Sequence, residues 1–202
     1  MHGQPTPGTT AFWLAAGFLS GSLMFSYWLG RLGGQDVRKV GDGNPGAANA
    51  IKAAGLAIGL AGGLLDFLKG ALPVALATWP LSAPEASPWG WFLPLIAMAP
   101  VLGHIFSPWL AGRGGKGIAV TFGVWAGLTA WQVPCILGGA CAVAKFLLRL
   151  PDAWVVASAM AGVTLFVAVR FGAGPLLGTA TLNLALLIFT HRRELCAHRS
   201  RV

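Results

Sequence analysis

Val40-Gly-Asp-Gly-Asn-Pro-Gly-Ala-Ala-Asn49 puts Gly41, Gly43 and Gly46 within six positions, directly after the basic pair Arg38-Lys39. Glycines let consecutive backbone amides converge on an anion, and a following helix adds partial positive charge at its N-terminus. Ala47 through Ala54 has the composition to begin that helix, with Gly46 closing the turn and Asn44 and Asn49 adding polar side chains. Arg38 supplies a guanidinium suited to bidentate phosphate contact. A second cluster repeats the theme: Gly103-His104, then Gly112-Arg113-Gly114-Gly115-Lys116-Gly117. It resembles part of a Walker A loop but lacks Ser or Thr after Lys116. Both clusters read as anion-binding loops, and a pair of them suits two phosphorylated substrates or one substrate with two phosphates. Two roles for His104 stay open, an acid-base group or a ring that orients its loop.

The glycine pattern of the first loop also fits the dinucleotide fingerprint G-x-G-x-x-G. That fingerprint requires a strand before it and a βαβ unit around it. The residues before it are an apolar stretch and a charged turn, Arg31 to Lys39, and the neighbours supply no parallel sheet. The dinucleotide reading fails on context.

The elements that position these loops are apolar helices. The 202 residues are 55% hydrophobic and 10% charged, with a mean hydropathy of +0.69, against about 25% charged in soluble domains. Backbone polar groups in lipid must be satisfied within the segment, and alternating strand patterns are absent, which leaves helices. At roughly 20 residues per crossing, about seven spans are expected, near 10–30, 55–79, 89–107, 117–133, 134–149, 153–170 and 174–190. The fourth and fifth are short and separated only by Gln132-Val-Pro134, so five or six spans with a re-entrant piece also fit. The predicted fold is an all-α polytopic membrane bundle forming one domain over 1–202.

Charge sets the expected orientation. With the N-terminus outside, the inner segments hold Arg31, Arg38, Lys39, Lys52, Arg113, Lys116, Lys145, Arg149, Arg192, Arg193, Arg199 and Arg201, and the outer ones hold Arg170 alone. That asymmetry follows the positive-inside rule, with the C-terminus inside and both glycine loops on the cytoplasmic face. The formal charge of +8 is spread over several short loops, with no long basic arm for nucleic acid. Cys135, Cys141 and Cys196 lack metal-ligand or disulfide spacing and read as inert thiols. No signal peptide is expected, because no Lys or Arg precedes the first apolar segment. Within the second span, Asp66 and Lys69 lie three apart on one helix face and are expected to pair, either as a structural ion pair or at a polar cavity.

Together these residues resemble the bacterial acyl-phosphate:glycerol-3-phosphate acyltransferases, the PlsY-type integral membrane family. The matching segments are Gly21-Ser22, Asp36-Val37-Arg38, Gly41 to Asn49, Asp66 to Gly70, Gly103-His104-Ile105-Phe106 and Gly112 to Ala119. A divergent third motif is present as His191-Arg192-Arg193-Glu194-Leu195. Departures from the family pattern include Met24 for Pro, Asp42 for Ser, Ala48 for Thr and Glu194 for Asn. Asp152 and Val155 stand where a serine pair is usual.

The resemblance implies transfer of a fatty acyl group from acyl phosphate to the sn-1 hydroxyl of glycerol 3-phosphate, giving lysophosphatidic acid and phosphate for phospholipid biosynthesis at the bacterial inner membrane. It implies no cofactor and no metal. The substrates and membrane lipid are the expected partners, and nucleic acid is not. The catalytic candidates are Ser22, Arg38, His104 and Lys116. Phosphate-binding candidates are Gly41, Gly43, Asn44, Gly46, Asn49, Arg113, Gly114, Gly115, Gly117, His191 and Arg192. Ser22 has a second reading, hydrogen bonding between helices. The acyl tail is expected among the apolar helices, with the head groups at the cytoplasmic rim. Two other readings of the chain stay open: an altered paralogue that binds phospholipid precursors, and a small transporter of an anionic metabolite.

Overall fold

The computed structural model describes residues 5–79 and 87–199, and every described regular element is helical. The helices are α1 (Pro7–Ser22), α2 (Phe25–Leu32), α3 (Ala47–Ala54), α4 (Leu56–Thr78), α5 (Leu93–Ile105), α6 (Ile118–Thr129), α7 (Gln132–Ala142), α8 (Asp152–Phe171) and α9 (Pro175–Arg199). Helical segments thus lie on all seven apolar stretches expected from the sequence. Four stretches among the described residues are long and apolar enough to cross a membrane: Pro7–Leu32, Leu56–Thr78, Gly90–Leu110 and Asp152–Phe171. Arg201, counted above in the inner charge, lies outside the described residues, as does the side chain of Arg199.

Several boundaries differ from expectation, each for a local reason. The first stretch is broken at Leu23 and Met24, whose backbone leaves the helical region. The ammonium of Lys69 donates to the freed Leu23 carbonyl, and Ser26 donates to Asp66 Oδ2 at 2.5 Å. Lys69 Nζ stands 2.7 Å from Asp66 Oδ1. Asp66 and Lys69 therefore do pair, and the pair supports the break. The turn between the fourth and fifth stretches falls earlier than Gln132-Val-Pro134. Ala130 and Trp131 take left-handed conformations (φ +44° and +78°), and Pro134 falls inside the first turn of α7, where its missing N–H costs no helical bond. α7 runs on into a π-helical turn, Val143–Leu147.

Small residues set the packing. A Cβ on Gly123 of α6 would stand 1.9 Å from the Phe67 carbonyl of α4, and one on Gly103 of α5 would stand 2.1 Å from that of Phe18 in α1. Such contacts bring backbones together where lipid offers no hydrophobic drive between helices. The core between α5, α6, α8 and α9 holds Leu93, Met98, Val124, Trp125, Met160 and Val163, all fully buried. One polar chain threads it: Trp125 Nε1 donates to Asn183 Oδ1 at 2.9 Å, and Asn183 Nδ2 donates to Thr121 Oγ1 at 3.1 Å. The outward face of α4 carries Leu56, Leu60, Leu64, Leu72 and Leu76, each more than half exposed. A leucine stripe at four-residue steps suits hydrocarbon.

Candidate active site

The first loop is folded by its own side chains. Asp36 caps the turn Val37–Lys39 by accepting the Arg38 amide at 3.1 Å. It also takes the Arg38 guanidinium in a fork, Nε to Oδ1 at 3.2 Å and Nη2 to Oδ2 at 3.1 Å. The guanidinium lies 4.7 Å from the centre of the Tyr27 ring. The Arg38 hydrogen bonds hold the Asp36 carboxyl down at about 2. Gly41 and Gly43 turn the chain through the left-handed region (φ +58° and +75°). Gly46 sits at φ −94° as the cap of α3, which begins at Ala47 as the sequence predicts. Asn49 reaches back from α3, and its Nδ2 donates to Asp42 Oδ1 at 2.8 Å and to the Asn44 carbonyl at 3.0 Å. The amides of Gly43 and Asn44 donate to the Val40 carbonyl and to Asp42 Oδ1. This loop is wound around Asn49.

The second loop corrects the expectation of bare, convergent amides. The N–H groups of Gly112, Arg113, Gly114 and Gly115 donate to the carbonyls of Ser107, Leu110, Ile105 and His104, at 2.8, 3.0, 3.0 and 3.1 Å. Its glycines serve close approach: a Cβ on Gly114 would lie 1.8 Å from the His104 carbonyl oxygen. The loop is laid flat on the end of α5, and Arg113 and Lys116 bring its two cationic side chains to the cavity wall.

Two cavities of about 760 and 790 Å³ meet at this end of the bundle. Arg38, Arg113, Arg192 and Arg193 line the first, together with Gly43, Gly114 and Gly115. The second is lined by Asn49, Lys52, Lys145 and His191, and by apolar Ile118, Phe122, Phe146, Val155 and Val156. Asp42, Asn44, Lys116 and Glu194 belong to both walls. Lys116 Nζ lies 2.6 Å from Asp42 Oδ2 and 2.5 Å from Glu194 Oε1. Burial pushes the Asp42 carboxyl up, but hydrogen bonds from Lys116, the Asn44 amide and Asn49 outweigh it and hold it at about 2. Burial likewise pushes Lys116 down, and its two carboxylates reverse that and raise it.

α9 delivers the remaining groups. His191 Nδ1 lies 2.8 Å from the Leu187 carbonyl and 3.1 Å from Thr190 Oγ1. Thr190 Oγ1 donates to the Lys116 carbonyl at 3.1 Å, tying α9 to the second loop. Arg192 is partly committed, donating to the Phe189 carbonyl at 2.5 Å and lying 4.2 Å above the Phe189 ring.

The structure thus gathers Arg38, Gly43, Asn44, Asn49, Arg113, Gly114, Gly115, Lys116, His191 and Arg192 on two adjoining cavities. It leaves Ser22, Gly41, Gly46, His104 and Gly117 off both walls. Ser22 is fully buried; its hydroxyl donates to the Leu19 carbonyl at 2.7 Å and accepts from Trp109 Nε1 at 3.0 Å. Its carbonyl accepts Ser107 Oγ at 2.7 Å. Those bonds tie the end of α1 to the turn Pro108–Leu110 that follows α5. The His104 ring is buried against Gly115, with its Nδ1 unpartnered. Sequence reasoning missed Asp36, Thr190 and Arg193 as wall residues. It noted Asp42 and Glu194 only as departures, and their meeting on Lys116 had no local signal. Among the described residues no group of three or more His, Cys, Asp or Glu has the arrangement to hold a metal.

The sequence model of the family described as glycerol-3-phosphate acyltransferase matches residues 11–199. A glycerol-3-phosphate acyltransferase of Anaeromyxobacter sp. (strain K) is 39% identical over 91% of this chain and 90% of its own length. Glycerol-3-phosphate acyltransferase 1 of Thermotoga maritima is 40% identical over 62% of this chain and 61% of its own. Two solved structures of PlsY, an integral membrane glycerol 3-phosphate acyltransferase, superpose on this fold. The glycerol 3-phosphate form has a TM-score of 0.84 at 29% identity, covering 96% of this chain and 93% of that one. The lysophosphatidic acid form has a TM-score of 0.81 at 27% identity, with the same coverage.

Proposed function

The chain belongs to the glycerol-3-phosphate acyltransferase family, and we propose that it transfers a fatty acyl group from acyl phosphate to the sn-1 hydroxyl of glycerol 3-phosphate, releasing lysophosphatidic acid and phosphate for phospholipid synthesis. The observation that carries this reading is Lys116 on the wall shared by an arginine-lined cavity and a largely apolar one. Glycerol 3-phosphate enters the first, where Arg38, Arg113 and Arg193 bear positive charge. The acyl chain lies in the second, along Ile118, Phe122, Phe146, Val155 and Val156, with its phosphate at the seam. This division puts the acceptor hydroxyl and the acyl carbonyl at Lys116.

The chemistry asks little of the protein. An acyl phosphate is a mixed anhydride with a good leaving group, so positioning and charge stabilisation suffice and no acyl-enzyme is needed. The acceptor oxygen attacks the acyl carbon, and the C–O bond to phosphate breaks. A phosphate oxygen of the donor takes the hydroxyl proton, and Lys116 with the neighbouring arginines balances the charge on the departing phosphate. Ser22 and His104 act as positioning residues: Ser22 holds Trp109, and His104 supports the second loop. Replacing Lys116 by Ala tests the assignment. An intact protein that transfers acyl groups at the unmodified rate removes Lys116 from the site.

The same reading places the whole chain as one domain in the bacterial inner membrane. The seven helical stretches each cross, with the N-terminus outside, the C-terminus inside and both cavities opening to the cytoplasm. Support comes from the basic residues around those cavities, which follow the positive-inside rule. Labelling single cysteines placed beside Asn44 and Arg113 from each side of the membrane checks it: labelling of the two from opposite sides excludes a shared site.

A further inference from the structure

We propose that Asp42 and Glu194 are internal competitors for substrate phosphate at Lys116, and that Glu194 is the member a phosphate group displaces. The inference rests on the reading of Lys116 as a phosphate-binding cation and goes beyond it. An ammonium has three N–H donors. Asp42 and Glu194 engage Nζ at 2.6 and 2.5 Å, which leaves one donor for a substrate. Both carboxylates belong to both cavity walls, so a phosphate arriving from either side meets them beside the lysine.

The surroundings make the pair unusual. Around them the walls carry Arg38, Arg113, Arg192 and Arg193 on one side and Lys52, Lys145 and His191 on the other. The other two wall carboxylates are engaged with cations of their own, Asp36 with Arg38 and Asp152 with Lys145. Among the described residues, Asp42 and Glu194 are the carboxylates that take the cation at the seam.

The two are not equivalent. Asp42 is anchored: its Oδ1 also accepts Asn49 Nδ2 at 2.8 Å and the Asn44 amide at 3.2 Å. Glu194 has no hydrogen-bond or ion-pair partner among the described residues other than Lys116, and its side chain is 40% exposed. It sits on the last turns of α9, where the side chain can swing out without disturbing the loop. A dianionic phosphate near an ionised carboxylate is repelled, and that repulsion is relieved when Glu194 departs. The arrangement keeps Lys116 charged and held in place in the empty site. It also weakens the hold on inorganic phosphate after reaction, since the returning carboxylate takes its place.

Isothermal titration of the purified full-length protein with inorganic phosphate and with glycerol 3-phosphate reads the competition directly. Glu194→Gln keeps the shape and removes the charge, so it is expected to bind both ligands about fivefold more tightly, a gain in the range of a partly exposed charge contact. Asp42→Asn, which keeps the Oδ1 acceptor for Asn49, should tighten binding by less. Adding Lys116→Ala to Glu194→Gln should abolish the gain. Unchanged or weaker binding by a folded Glu194→Gln protein overturns the proposal, as does a gain that survives Lys116→Ala. Acyl transfer by the unmodified protein is scored separately. Transfer without tightening leaves the functional reading standing and removes the competition, whereas tightening without transfer does the reverse.

Discussion

The imidazole of His104 occupies the space that a side chain on Gly115 would need: a Cβ there would stand 2.2 Å from Nε2. The His104 carbonyl meanwhile accepts the Gly115 amide at 3.1 Å. Ring and backbone together fix the height at which the chain leaves the loop toward Lys116.

That contact makes a steric prediction. Gly115→Ala must push either the ring or the loop, and both are buried or hydrogen-bonded, so Lys116 shifts from the seam. Activity should fall on the order of 100-fold, the scale of a displaced positioning group, with helix content unchanged by circular dichroism. Gly114→Ala meets a backbone oxygen at 1.8 Å and should be worse. Near-normal kcat/KM in Gly115→Ala would show that the loop tolerates movement.

The buried pair at the break in the first helical stretch gives a stability prediction. Lys69→Met leaves Asp66 without its cation and the Leu23 carbonyl without its donor, so stability should fall by about 3 kcal/mol or more, read as a lower melting temperature in detergent. Lys69→Met with Asp66→Asn should recover a good part of that loss, because no charge is then stranded. A double variant as unstable as the single would assign the effect to the Leu23 carbonyl instead.

The loop carboxylates predict the response to acid. Asp36 and Asp42 are held at about 2 against an ordinary 3.8. A depressed carboxyl adds stability that is present above its ordinary value and is lost as pH falls through its folded value. The amides of Arg38 and Asn44, which donate to these carboxylates, should keep their hydrogen-exchange protection down to about pH 4 and lose it toward pH 2. Loss of protection already at pH 5, after correction for intrinsic exchange rates, would contradict the loop geometry.

Much of this was legible from residue types alone. Apolar runs located the helical stretches, Gly46 marked the start of α3, and the three-residue spacing of Asp66 and Lys69 announced their pairing. The break at Leu23 was not, because no Pro or Gly sits there. It is stabilised by a lysine 46 residues further along. Glycine richness suggested open amides in both loops, yet the amides of Gly112 to Gly115 are spent on carbonyls at the end of α5, and only the fold decides that. The charges of Asp42 and Glu194 stood out individually. Their convergence on Lys116 joins residues 78 apart for Glu194, a distance no local pattern spans.

Acyl transfer from acyl phosphate to glycerol 3-phosphate can be read as phosphate release from palmitoyl phosphate. The purified protein should release phosphate only when glycerol 3-phosphate is present, with an equal amount of lysophosphatidic acid formed. Folded protein that releases none, under conditions where another member of the family turns over, would contradict the account and leave a chain that holds phospholipid precursors without joining them.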